Sequence, residues 1–145
     1  MGSHADYGAF SILSSDGTPG LEVRPGGGRW VRLPSAPGLL LVVPGELLER
    51  WSNGLYQALV HRVCVRKERY SSSFYFEPNY RTAVEPLPIC CDDDSPPKFL
   101  PMVTGSYLKG KYKSVHKVFA EHEREGHTEK KGMAGTVGGA EIGKR

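Results

Sequence analysis

The chain has 145 residues, 39% of them hydrophobic and 24% charged, and a formal net charge of +3. That length suits one domain with a modest core, and the composition is that of a globular chain, not a disordered one. The longest apolar run, Leu39 to Val43, is far too short to span a bilayer, and the basic residues show no alternation with aromatics. Neither a membrane nor nucleic acid is an expected partner. Three cysteines, Cys64, Cys90 and Cys91, are odd in number and lack C-x-x-C spacing, which fits a reducing compartment and excludes a disulfide framework or a zinc knuckle. No signal-peptide pattern opens the sequence, so a cytoplasmic location is expected.

Taken in chain order, short apolar or alternating runs separated by Gly and Pro dominate the first half. Ala9 to Leu13 reads as a strand. Gly20 to Arg24 and Arg29 to Leu33 read as two more, flanking the hairpin-like turn Pro25-Gly26-Gly27-Gly28. Pro37-Gly38 leads into Leu39 to Val43, a continuous apolar run expected to be a strand buried on both faces, and Pro44-Gly45 ends it. Glu46 to Trp51 is predicted to be a short helical turn with Leu47, Leu48 and Trp51 facing inward. Gln57 to Arg66 follows as a strand with Leu59, His61, Val63 and Val65 on one face, and Tyr70 to Glu77 as another, closed by Pro78-Asn79. Strands at this spacing indicate a β-sandwich or a double-sheet jelly roll, and the pattern does not separate the two.

From Pro86 to Pro101 the composition turns to Pro, Cys and Asp, a surface loop in which Asp92-Asp93-Asp94 lacks the spacing of an EF-hand and reads as a solvated acidic turn. Ser106 to about Glu123 is expected to be helical. The stretch Gly126 to Arg145 has almost no large apolar residues and is expected to be disordered. His116, His122 and His127, in or near it, receive no metal role.

Chemistry concentrates at three places. His4 and Asp6 are two apart, so on a strand both side chains point to one side and can grip one ion. His61 would complete a set of two imidazoles and one carboxylate, which leaves one face of an iron(II) ion open. Arg69 and Ser71 repeat the same spacing with a guanidinium and a hydroxyl, a pair suited to a carboxylate. An iron beside a carboxylate anchor suggests an oxygenase that uses a keto acid. Taken alone, Gly2-Ser3-His4 also reads as the scar of a purification tag, and Arg69 as a surface arginine. Trp51-Ser52-Asn53-Gly54 reads as architectural, with Gly54 suited to a positive-φ turn and Trp51 to the core. Phe10 is assigned to the core, and Arg62 to the strand face opposite His61.

Gly2-Ser3-His4-Ala5-Asp6-Tyr7-Gly8, Trp51-Ser52-Asn53-Gly54, His61-Arg62-Val63 and Arg69-Tyr70-Ser71 occur in that order. Together they resemble the C-terminal half of the iron(II)/2-oxoglutarate-dependent dioxygenases of the isopenicillin N synthase-like superfamily. The resemblance runs from Gly2 to about Glu121. In Glu85 to Cys90, Pro96 to Phe99 and Gly105 to Leu108 it is particularly similar to a plant and fungal branch. It implies a mainly β fold, a double-stranded β-helix (jelly roll) core incomplete at its N-terminus, over residues 1–121, with a C-terminal helix and a disordered tail over 122–145.

It also implies Fe(2+) held by His4, Asp6 and His61. The cosubstrate 2-oxoglutarate would be held by Arg69 and Ser71, and dioxygen and a small organic metabolite would react with release of succinate. A jelly-roll fragment without catalysis and a same-fold oxidase that does not use 2-oxoglutarate are the alternatives.

The sequence departs from the family at Ala58, where serine or threonine is common, and at Val43-Pro44-Gly45-Glu46, which replaces the usual Asn-containing turn ending in Gly-Asp. No segment of it matches the family's N-terminal helical domain, first core strands or Asn-x-Tyr motif. A truncated product or one piece of a longer chain is expected, prone to association and turning over 2-oxoglutarate at background rate.

Overall fold

The computed structural model of the protein describes residues 2–64 and 66–115. Its strands are β1 (Phe10–Ser15), β2 (Leu21–Arg24), β3 (Val31–Arg32), β4 (Leu40–Pro44), β5 (Val60–Val63), β6 (Ser71–Phe76), β7 (Ala83–Val84) and β8 (Met102–Val103). Helix α1 covers Glu46–Trp51 and α2 covers Thr104–Val115. The sheets, the core cluster and the site lie in the first of two units, Met1–Tyr107. Of the second, Leu108–Arg145, the described part is the later portion of α2.

The chain alternates between two three-stranded antiparallel sheets, one ordered β4-β1-β6 and the other β3-β2-β5, and β7 pairs with β8 apart from them. This is the jelly-roll arrangement, and it settles the choice the strand spacing leaves open. Period-two alternation fixes the faces of the first sheet. Ser11 lies opposite Val43 and Tyr75, and Leu13 opposite Leu41 and Ser73; this face looks toward β2 and β5, with which it shares a cavity. Phe10 and Ile12 take the other face, with Val42, Phe74 and Phe76 across the ladder.

The run Leu39 to Val43 therefore does not meet expectation. Val43 is fully buried, but Leu40 and Val42 are 65% and 60% exposed, because on their face of the sheet the covering core reaches Phe10 and leaves these two open. Apart from the one over Gln57 to Arg66, the predicted strands form with their ends shifted by one or two residues, β1 and β4 running past their predicted C-terminal ends, and β7 and β8 have no counterpart in the sequence reading. The predicted strand over Gln57 to Arg66 keeps only Val60–Val63, and Val65 lies outside the described residues. Pro25–Gly27 forms a 3-10 turn between β2 and β3, with Gly26 at φ 55°. Helix α2 begins at Thr104, two residues before its predicted start. Its predicted end and the tail, with His116, His122 and His127, lie outside the described residues.

Ala9, Leu47 and Val84 form the buried apolar cluster, with Phe10, Trp51, Met102 and Tyr107 packed against it. Leu47 is fully buried, worth about 1.5–3 kcal/mol relative to leaving it in water. Phe10 meets its core assignment and also stacks on Phe76 at 4.8 Å between ring centroids. Asn53 has positive φ (53°), and its side chain ties the segment around and after the 3-10 turn Pro88–Cys90 to the end of α1. Its amide nitrogen donates to the carbonyls of Cys90, Ser95 and Pro96, and its oxygen accepts from the Lys98 backbone.

Candidate metal and cosubstrate site

The segment from Gly2 to Gly8 is not the strand that the H-x-D spacing suggests. It makes one bridge, between His4 and His61, with backbone hydrogen bonds in both directions at 3.0 and 2.8 Å. It then turns so that its carbonyls meet the start of α1. Glu46 N donates to Asp6 O, Leu47 N to Gly8 O and Gly45 N to Ala9 O, at 2.9 to 3.0 Å. Amide groups at a helix start have no partner inside the helix, and these bonds satisfy them. A glycine at position 45 has a physical reason here, since a Cβ on Gly45 would stand 2.3 Å from Gly8 O and 3.0 Å from Asp6 O.

That bridge and turn bring His4, Asp6 and His61 together, with one donor atom from each within 4.8 Å of the others. His4 Nδ1 bonds to Gly2 O at 2.9 Å and His61 Nδ1 to Leu59 O at 3.0 Å. A carbonyl only accepts, so each Nδ1 carries its ring's proton and each Nε2 is left as an electron-pair donor. The two Nε2 atoms face Asp6 Oδ1 at 3.6 and 3.9 Å. Asp6 and His61 are buried, and among the described residues no lysine or arginine pairs with Asp6. Two electron-pair donors facing a buried carboxylate call for a positive charge, and a divalent cation fits the three groups. The purification-scar reading of Gly2-Ser3-His4 does not account for this convergence.

His61 also lines a cavity between the sheets, together with Leu13, Leu21, Val63, Arg69, Ser71, Ser73 and Tyr75. Arg69 is half-buried, and its Nε donates to Thr18 O at 3.0 Å, which fixes the plane of the guanidinium. Asp16 builds the turn that carries Thr18, accepting from the backbone of Thr18 and Tyr70 at 2.8 and 3.0 Å. The amides of Tyr70 and Thr18 hold the Asp16 carboxyl below the usual range, and the Arg69 charge adds to this. On the opposite face of β5, Arg62 pairs with Glu22 at 2.8 Å and stacks over Trp30 at 4.0 Å.

Sequence reasoning missed Ser11, whose buried hydroxyl donates to Asp6 Oδ2. Its signal is a lone hydroxyl in the apolar strand Ala9 to Leu13, five residues after Asp6. It also missed Asp16 and Thr18, which no local pattern links to Arg69.

Two histidines and one carboxylate brought together on a jelly roll, one of the histidines lining an inter-sheet cavity, are the ligand set of the non-haem iron oxygenases. A profile of the 2OG-Fe(II) oxygenase superfamily matches residues 1–78, more than half of the chain, and the chain belongs to that superfamily. Kihadalactone A synthase LFS of Citrus sinensis is 32% identical over 116 residues, covering 77% of this chain and 35% of that protein. The 2-oxoglutarate-Fe(II) type oxidoreductase hxnY of Emericella nidulans is 32% identical over 119 residues, 80% and 34% of the two. A full-length Neurospora crassa protein, crystallised in complex with alpha-KG, superposes with a TM-score of 0.73 at 30% identity, over 79% of this chain and 37% of that one. The chain thus spans about a third of the length of the relatives it matches.

Proposed function

We propose that this chain is the iron- and 2-oxoglutarate-binding part of an oxygenase that oxidises a small organic metabolite of plant or fungal type. The observation that carries the reading is the convergence of His4, Asp6 and His61 beside a cavity that Arg69 and Ser71 also line. Iron(II) would be held by the two Nε2 atoms and Asp6 Oδ1. When bound, it supplies the redox chemistry that couples dioxygen to oxidative decarboxylation of 2-oxoglutarate to succinate.

The chain's own residues do the rest. Arg69, its plane fixed by Thr18, pairs with the distal carboxylate of the keto acid, and Ser71 donates a second hydrogen bond. Leu13, Leu21 and Val63 give that carboxylate an apolar surround, in which a charge-assisted pair is stronger than in water. The three free cysteines are in keeping with a cytoplasmic location.

Calorimetry under argon with manganese(II) in place of iron tests the reading by binding alone. One metal per chain and one 2-oxoglutarate per metal are expected, with stoichiometric metal binding lost in Asp6→Ala. Arg69→Lys keeps the charge but loses the planar fork, and 2-oxoglutarate affinity should fall roughly ten- to a hundred-fold, about 1.5–3 kcal/mol. Unchanged metal binding in Asp6→Ala would overturn the proposal. Unchanged 2-oxoglutarate affinity in Arg69→Lys would favour an oxidase that does not use the keto acid.

A further inference from the structure

Ser11 sits on the inner face of β1 with no exposure to solvent, flanked across the ladder by Val43 and Tyr75. A hydroxyl buried in such surroundings needs a partner, since leaving it unsatisfied is destabilising. Its partner is Asp6 Oδ2, to which it donates. The two oxygens of the Asp6 carboxylate are therefore unequal. Oδ2 is occupied by Ser11, whereas Oδ1 faces the Nε2 atoms of His4 and His61.

We propose that Ser11 is a positioning residue for the metal centre. Its hydroxyl holds Oδ2 away from the cation, so that Asp6 offers one oxygen only and adjacent coordination positions stay open. The inference rests on the reading of His4, Asp6 and His61 as metal ligands. Without the hydroxyl, the carboxylate is free to turn about its terminal torsion and to present both oxygens. A group that orients a ligand in this way is commonly worth ten- to a hundred-fold in metal affinity.

The experiment titrates the whole chain with cobalt(II) and follows affinity and the visible absorption of the bound ion, whose intensity reports coordination number and symmetry. Ser11→Ala should weaken binding roughly ten- to a hundred-fold and change the cobalt spectrum. Ser11→Thr retains the hydroxyl and should restore both, whereas Ser11→Val, of nearly the same volume, should not. The Thr and Val pair separates the hydroxyl from packing, because they differ in little else. A structural role alone would lower melting temperature in Ala and Val and leave the cobalt spectrum of the folded fraction as in the parent.

Cobalt bound by the parent but equally well, and with the same spectrum, by Ala and Ser, or by Val and Thr, overturns the role of Ser11 and leaves the metal site standing. No stoichiometric cobalt in the parent overturns both.

Discussion

Replacing Gly45 by alanine tests the junction that aims Asp6. Gly45 has φ −108° and ψ 178°, extended backbone open to any residue, so the cost of a side chain there is steric and not conformational. The added Cβ would stand 2.3 Å from Gly8 O, against an ordinary contact of 3.4 Å or more, so that carbonyl must retreat by about 1 Å. Gly8 O accepts from Leu47 N and Asp6 O from Glu46 N, so the retreat weakens two of the bonds that satisfy the start of α1. Overpacking of this kind costs about 1–3 kcal/mol, and a weakened hydrogen bond roughly another 1, for a total of about 3 kcal/mol.

For a chain of this size that corresponds to a fall of roughly 10 °C in melting temperature. Gly38→Ala is the control. Gly38 has φ +79° and nothing within 4 Å of a Cβ, so it should lose only about 1–2 kcal/mol to left-handed strain. Thermal unfolding followed by circular dichroism, with and without manganese(II), measures both. Because Asp6 shares the junction, Gly45→Ala should also weaken metal binding, whereas Gly38→Ala should not. A Gly45→Ala protein that melts with the parent and binds metal as tightly would show that the junction does not aim Asp6.

Two other outcomes are expected. Hydrogen bonds from Arg62 and Arg32 hold the Glu22 carboxyl below the usual glutamate range, so its contribution to stability is complete above that range and is lost as pH falls through the depressed value. Glu22→Gln should accordingly be less stable than the parent near neutral pH, and denaturant titrations should find the gap closing in acid; a gap of constant size across that range would refute the ion pairing. The face of the β4-β1-β6 sheet bearing Leu40, Val42, Phe74 and Phe76, each 42–65% exposed, should drive concentration-dependent self-association. Sedimentation should show Leu40→Thr/Val42→Thr/Phe74→Thr shifting toward monomer, and a parent already monomeric at high concentration would count against it.

The candidate site residues were legible because their spacing is short. His4 and Asp6, or Arg69 and Ser71, declare themselves within three positions, and the Gly-Pro punctuation around 25–28 and 44–45 marks strand ends by local backbone preference. What was not legible depends on distance along the chain or on what covers a face. Leu40 and Val42 are as apolar as Val43, and hydrophobicity alone does not tell which of them has a neighbour. β7 and β8 are two residues each, too short for any period to show. The turn that the chain makes between His4 and Gly8 is not legible in the H-x-D spacing, because the pattern is blind to the helix start about 40 residues later that takes up its carbonyls. Thr18 reaches Arg69 across 51 positions, and Ser11 reaches Asp6 by a bond that a lone serine in an apolar run only hints at.

Asn53 carries a consequence for how this part of the chain can change over time. Its grip on the segment from Cys90 to Lys98 falls on main-chain atoms, three carbonyls and one amide, joined only by a long contact to the Ser95 hydroxyl. A lock that reads backbone is indifferent to the side chains threaded through it. Residues 90–98 can therefore drift in sequence, acquiring new surface chemistry while keeping their course, provided the residue at 53 stays an amide that tolerates a left-handed backbone. One position is held so that nine can vary, and it is the held one that an unaided reading of the sequence passes over as part of a turn.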